Sequence, residues 1–186
     1  DAAGNKITVI RYATQIINPD LLIQLPLAQI YNNLAKNPDL DSTTYYLFDG
    51  LNRPTFVVSP EGQVTAYQHD KNGNLTQEVE YDKALAIPRN YTDPSYYPNL
   101  KAQVESLTPN PKIDAVVKSE FDAADRKTQE TDALGSIDLY ELNALGDAIA
   151  HIDREANRWQ YQYDAARRKT EEISPIVQVW TVSSQP

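Results

Sequence analysis

The sequence has no cysteine and no methionine, and its 186 residues include only six glycines, three phenylalanines and two histidines. Without cysteine there is neither a disulfide framework nor a thiolate metal site. The same absence is compatible with export, since large exported bacterial proteins often dispense with cysteine. The two histidines, His69 and His151, stand alone, each at a strand position that other residue types fill elsewhere. Neither is assigned a metal or catalytic role, and no cofactor is expected. No apolar run approaches the ~20 residues needed to span a bilayer, so membrane insertion is not expected. Basic clusters are also scarce. Arg167-Arg168-Lys169 is the longest, and Glu171-Glu172 follows at once. The 17 Lys and Arg face 26 Asp and Glu, for a net charge of −9. That balance argues against nucleic acid and anionic lipid as partners. With no initiator methionine, and with its opening inside a repeat, the chain is expected to be a segment of a longer polypeptide. The absence of a signal peptide therefore decides nothing.

What is present is periodic. Between Phe121 and Arg168, corner-like segments begin at Asp122, Asp132, Asn143, Asp153 and Asp164, spaced 10, 11, 10 and 11 apart. A fixed period changes how every other residue is read. Earlier corners begin at Asp1, Asp49, Ser59 and Asp70. Five of the six glycines, Gly4, Gly62, Gly73, Gly135 and Gly146, stand three residues after a corner's first residue. A type I turn followed by a residue with positive φ makes a tight hairpin. It favours Asp, Asn or Ser first, to cap the turn's N–H groups, and Gly last, where a Cβ would clash. These glycines, with Asp122, Asp132 and Asp164 leading their corners, are the structural turn residues. Asn52 and Asp125 also tolerate the left-handed position. Ala156 and Arg167 do not, so those two turns are expected to be strained or built differently.

Two stretches interrupt the pattern, at about 13–40 and 82–113, and both are rich in proline. Leu27, Ile30 and Leu34 predict a short helix between Pro26 and Asn37. Leu100, Val104 and Leu107 predict another at about 99–107. Asp1–Tyr12 aligns with Asp70–Tyr81 and Asp41–Asp49 with Asp114–Asp122. Both interruptions therefore occupy the same place in a unit of about 70 residues. The fold expected is mainly β: antiparallel β-hairpin repeats in one curved or spiralling sheet, with two short helical insertions. No composition shift divides residues 1–186.

Strands after equivalent corners align Thr65 with Asp138 and Trp159, Tyr67 with Tyr140 and Tyr161, and His69 with Leu142 and Tyr163. Stacked side by side, such strands would form aromatic ladders. Trp159, Tyr161 and Tyr163 are also the candidates for carbohydrate binding. The stretch from Asp70 to Tyr81 lacks the Gly and Glu placement of an EF-hand loop, and there is no G-x-S-x-G elbow.

Phe48-Asp49-Gly-Leu-Asn-Arg53, Asp70-Lys-Asn-Gly73-Asn74-Leu75, Phe121-Asp122-Ala-Ala-Asp-Arg126 and Tyr161-Gln-Tyr163-Asp164-Ala-Ala-Arg-Arg168 resemble the Rhs/YD repeat, Y-D-x-x-G-R-L in units of about 21 residues. The resemblance covers about two thirds of the chain. No copy has both the Gly and the Arg. The resemblance implies a β-sheet spiralling into a hollow shell, as in bacterial Rhs and Tc toxin proteins and in teneurins. It implies a structural or encapsulating role in a large exported, toxin-related protein, secreted or at the bacterial cell surface. The family's aspartate-based self-cleaving segment has no match here, so no catalytic residue is carried over and an enzyme is not expected. The expected partners are the rest of the parent polypeptide, or another copy, through exposed sheet edges. The alternative is an adhesion module that binds a cell-surface glycan or protein.

Overall fold

The computed structural model describes residues 1–13, 37, 40–86 and 96–175. The described residues form eleven strands: β1 (Thr8–Arg11), β2 (Ser42–Phe48), β3 (Pro54–Val58), β4 (Val64–His69), β5 (Leu75–Glu80), β6 (Ala115–Phe121), β7 (Lys127–Thr131), β8 (Ile137–Leu142), β9 (Ala148–Ile152), β10 (Arg158–Tyr163) and β11 (Lys169–Ile173). They form one open antiparallel sheet whose strand order is the chain order. One helix, α1 (Tyr96–Glu105), lies in the second interruption. The helix expected between Pro26 and Asn37 lies outside the described residues.

α1 starts three residues before the segment expected from the sequence. Pro98 falls in its first turn, where the missing N–H of proline leaves no intrahelical bond unmade. Leu100 and Val104 are buried as the spacing requires, and Tyr96 extends their stripe by one turn. Leu107 follows the helix and packs, partly buried, against the same core.

The chain divides into two compact units, residues 1–68 with 77–116, and residues 69–76 with 117–186. The first unit has a hydrophobic core. On β2, Thr43, Tyr45 and Leu47 point inward in strict alternation. They join Val58, Val64, Ala66, Val79, Tyr81 and Val116 from the sheet and Tyr96, Leu100 and Val104 from α1. Burying each such Val or Leu stabilises the fold by about 1.5–3 kcal/mol. The Tyr45 and Tyr96 rings meet at 5.3 Å with a tilt of 59°. Burial, with Tyr96 beside it, pushes the Tyr45 hydroxyl up to about 12. The Tyr97 hydroxyl donates to the Tyr46 carbonyl at 2.9 Å, pinning the helix to the sheet.

The second unit is built differently. Among its described residues, Asp138 and Ala150 are the buried ones, and β11 is exposed along its whole length. Its large apolar side chains often face water: Leu134 is 92% exposed and Leu145 67%. The ladder hydrogen bonds and polar contacts at the corners hold this unit.

Candidate functional site

The repeated element of the molecule is the five-residue corner. Nine corners share one construction. The N–H of the fourth residue donates to the carbonyl of the first, and the N–H of the first donates to the carbonyl of the fifth. At Asp122 these bonds are 3.1 Å from Asp125 and 2.9 Å to Arg126; at Asp132 they are 3.0 Å from Gly135 and 2.9 Å to Ser136. At Asp1 the amino terminus takes the place of the N–H and reaches the Asn5 carbonyl at 2.9 Å. The fourth residue is left-handed in every corner, and these nine are all the positive-φ positions among the described residues. The turn glycines Gly4, Gly62, Gly73, Gly135 and Gly146 have φ between 84° and 100°. Asp122, Asp132 and Asp164 lead their corners.

Of the two outcomes expected for the turns at Ala156 and Arg167, strain or a different build, the structure shows the first. Ala156 (φ 63°) and Arg167 (φ 62°) adopt the same left-handed geometry as the glycines. Their N–H groups donate to Asp153 and Asp164 at 2.9 Å. The strain remains, because a Cβ in this region costs roughly 1 kcal/mol.

The leading side chain explains why the corner tolerates that cost. One carboxylate oxygen of Asp122 accepts the N–H groups of Ala124 (2.9 Å) and Arg126 (3.1 Å). The other accepts the Arg126 Nε at 2.7 Å. Asp49 with Arg53 and Asp164 with Arg168 repeat the arrangement, their Nε–carboxylate distances both 2.7 Å. In three other corners an asparagine replaces the arginine, Asn5 on Asp1 at 3.0 Å, Asn74 on Asp70 at 2.9 Å and Asn157 on Asp153 at 3.0 Å. These bonds favour the ionised form. The Arg126 side chain holds Asp122 below the usual carboxylate range, and the Asn157 side chain does the same for Asp153. The Arg168 backbone N–H is the first cause at Asp164.

Two classes of corner alternate. Corners 49–53, 122–126, 143–147 and 164–168 adjoin a register shift, with Thr55, Thr128, Ile149 or Thr170, on the strand after the corner, as the extra residue. Corners 59–63, 132–136 and 153–157 close directly between paired residues: Val58 with Val64, Thr131 with Ile137 and Ile152 with Arg158. The alternation of 10 and 11 is one of strand length: β7 and β9 have five residues, while β8 and β10 have six. In the bulged pairs the last residue before the corner, Phe48, Phe121, Leu142 or Tyr163, faces two residues of the strand after it. Three of these four are the aromatic of the aromatic–Asp motif.

The insertion roots use one further device. Asp41 accepts the Ala13 and Asn37 N–H groups, both at 2.8 Å. Asp114 accepts those of Asp82 (2.9 Å) and Asn110 (2.7 Å). The two interruptions are therefore clasped at equivalent places. The signal was present in the sequence as Asn37-Pro-Asp-Leu-Asp41 beside Asn110-Pro-Lys-Ile-Asp114.

The aromatic ladder takes another form. Because strand order follows chain order, β8 and β10 are separated by β9, so equivalent strands are not neighbours. Tyr140 pairs across to His151, and His151 pairs across to Trp159. The Tyr140 and His151 rings stack at 4.9 Å with a 6° interplanar angle. His151 is thus not solitary. Its Nε2 lies 2.9 Å from Asp138 Oδ1, and Arg154 Nε donates to Asp138 Oδ2 at 2.7 Å. Arg154 also reaches Asp132 at 3.1 Å. Arg154 first, and then His151, holds Asp138 below the ordinary range. This cluster gathers side chains from β8, β9 and two corners. Trp159, Tyr161 and Tyr163 share one face of β10, all half-buried. Lys169 sits 5.2 Å from the Tyr161 ring centre. Tyr163 donates its hydroxyl to the Ala148 carbonyl at 3.0 Å. His69 ends β4 immediately before the corner at Asp70. Among the described residues, no three His, Asp or Glu side chains converge as metal ligands, and no helix is long and apolar enough to cross a membrane.

This arrangement of strands occurs in a solved structure. The fold is that of a stretch of a Tc toxin chain. A chain in the Photorhabdus luminescens Tc holotoxin pore matches with a TM-score of 0.51 at 13% identity, covering 80% of this chain. A chain in the crystal structure of TcdB2-TccC3-Cdc42 matches with a TM-score of 0.32 at 12% identity, covering 77% of this chain. This chain spans 6% and 7% of the length of those two chains. No family model matches the sequence, and no curated protein does.

Proposed function

We propose that the chain is a structural segment of an Rhs/YD-type β-shell in a large exported bacterial protein, with an encapsulating or scaffolding role in a toxin. The observation that carries this reading is the alternation of bulged corners with plain corners. It generates a sheet in which each hairpin adds to the last, and the fold shared with a stretch of Tc toxin chain supports it. The chemistry of the corners supports a non-enzymatic role. Their carboxylates are engaged by the turn's own N–H, Arg and Asn groups. The partners are the remainder of the parent polypeptide, or another copy, at β1 and β11, the two ends of the strand order. The protein is secreted or displayed at the bacterial surface.

Electron cryo-microscopy of the parent polypeptide tests this. Residues 1–175 are expected in the wall of a closed β-shell. A separate domain outside any shell would contradict the reading. So would glycan-array binding that is lost in Trp159→Ala or Tyr161→Ala. Hydrolase activity abolished by changing His69 or His151 would contradict the non-enzymatic part.

A further inference from the structure

We infer that the left-handed position of the bulged corners is a coupling position, and that in the second unit it forms a latch running from corner to corner. The starting point is the four corners that lack glycine there. Three of the four, Asn52, Asp125 and Arg167, are polar, and all three sit in bulged corners. Each touches a different corner. Asn52 accepts from the Asn5 side chain at 2.9 Å, within the first unit. In the second unit, Asp125 accepts from the side chains of Asn72 (2.6 Å) and Asn74 (2.7 Å). Arg167 donates its Nε to Asp147 at 2.8 Å.

The remaining bulged corner has Gly146, and here the link comes from the neighbour. Arg126 donates to the Asn143 carbonyl at 2.8 Å. Its Cδ would lie 3.5 Å from a Cβ on Gly146. Corners 70–74, 122–126, 143–147 and 164–168 are thereby joined in series. The fourth exception, Ala156, is in a plain corner, has no polar group to offer and supplies no link. The pattern gives a reason for retaining a non-glycine residue where glycine is easier. The side chain leaving a left-handed Cα at these corners reaches the next hairpin, and glycine would surrender that contact. The latch is independent of what the sheet encloses, so it stands or falls apart from the shell reading.

The test compares three substitutions in the whole chain. Ala156→Gly removes strain and no link, so it is expected to raise Tm by about 2–4 °C. Arg167→Gly should give a comparable rise only in an Asp147→Ala background. In the native background the rise should be smaller or reversed. The second readout is amide exchange. Arg167→Gly is expected to lower protection at Leu145 and Asp147, in a corner to which it does not belong, by roughly two- to fivefold, as for an exposed ion pair. The inference is overturned if Arg167→Gly raises Tm equally in both backgrounds, or if protection at 143–147 is unchanged.

Discussion

The first unit is held by what it hides, and the second by what it pairs at its corners. In the first, α1 covers one face of the sheet, and Leu100, Val104, Val58 and Val64 are almost wholly shielded from water. In the second, Leu134 and Leu145 stand out in solvent while Asp138 is buried and is held by His151 and Arg154. Both use the same corner, so the corner alone does not decide how a repeat is stabilised. The difference lies in the insertion. A stretch that leaves the sheet at Asp82 and returns at Asp114 supplies the helix. Among the described residues, the uninterrupted run from Phe121 to Arg168 has no such cover, and it relies on cross-strand and corner contacts that are individually worth about 0.2–1 kcal/mol.

The comparison can be broken most forcefully in the core. Leu100→Ala is expected to destabilise the first unit by about 3–5 kcal/mol, whereas Leu134→Ala in the second should stay within about 0.5 kcal/mol. Chemical denaturation of each variant checks both. Next come two glycines with the same backbone geometry. A Cβ on Gly62 would lie 2.0 Å from the Leu85 carbonyl oxygen, while one on Gly135 would meet nothing within 4 Å. Gly62→Ala therefore adds a backbone clash to the left-handed strain, for roughly 3 kcal/mol or more. Gly135→Ala carries the strain alone, roughly 1 kcal/mol. Equal losses would show that the chain crossing corner 59–63 does not constrain it. The smallest effect belongs to Tyr96→Phe. The Tyr96 hydroxyl is buried and has no partner among the described residues. Its removal should leave stability unchanged or raise it by up to about 1 kcal/mol, read as a small upward shift in Tm.

The parts of the fold legible in the sequence were the local ones. A corner is specified by residues three apart, so Asp122 with Asp125 and Asp132 with Gly135 announced their turns without tertiary context. The insertions were placed because a repeat offset survives whatever lies between its copies. What the sequence hid was set by register. Asp138, His151 and Arg154 come together only once β8 and β9 are paired, and no spacing rule points to that. The role of the fifth corner residue was hidden differently. Arg53, Asn74, Arg126, Asn157 and Arg168 differ in type but share a donor aimed at the leading Asp. Ala156 and Arg167 were legible as strained positions, because propensity argues against them there; that they keep the common turn geometry was not.

The most direct test of the contrast is acid. In the second unit Asp70, Asp122, Asp138, Asp147, Asp153 and Asp164 are all held below the usual carboxylate range. The first unit has Asp49. An unfolded Asp titrates near ~3.9. A carboxylate with a depressed folded pKa binds fewer protons than its unfolded counterpart, so its stabilisation is complete above that value and disappears as pH falls through the folded pKa. Residue-resolved amide exchange, followed from pH 6 downward and corrected for intrinsic rates, should show β7–β11 losing protection below about pH 4. Tyr45, Leu47 and Val79 should remain protected over the same range. Loss of protection in both units together, or first in the core around Leu47, would contradict the account.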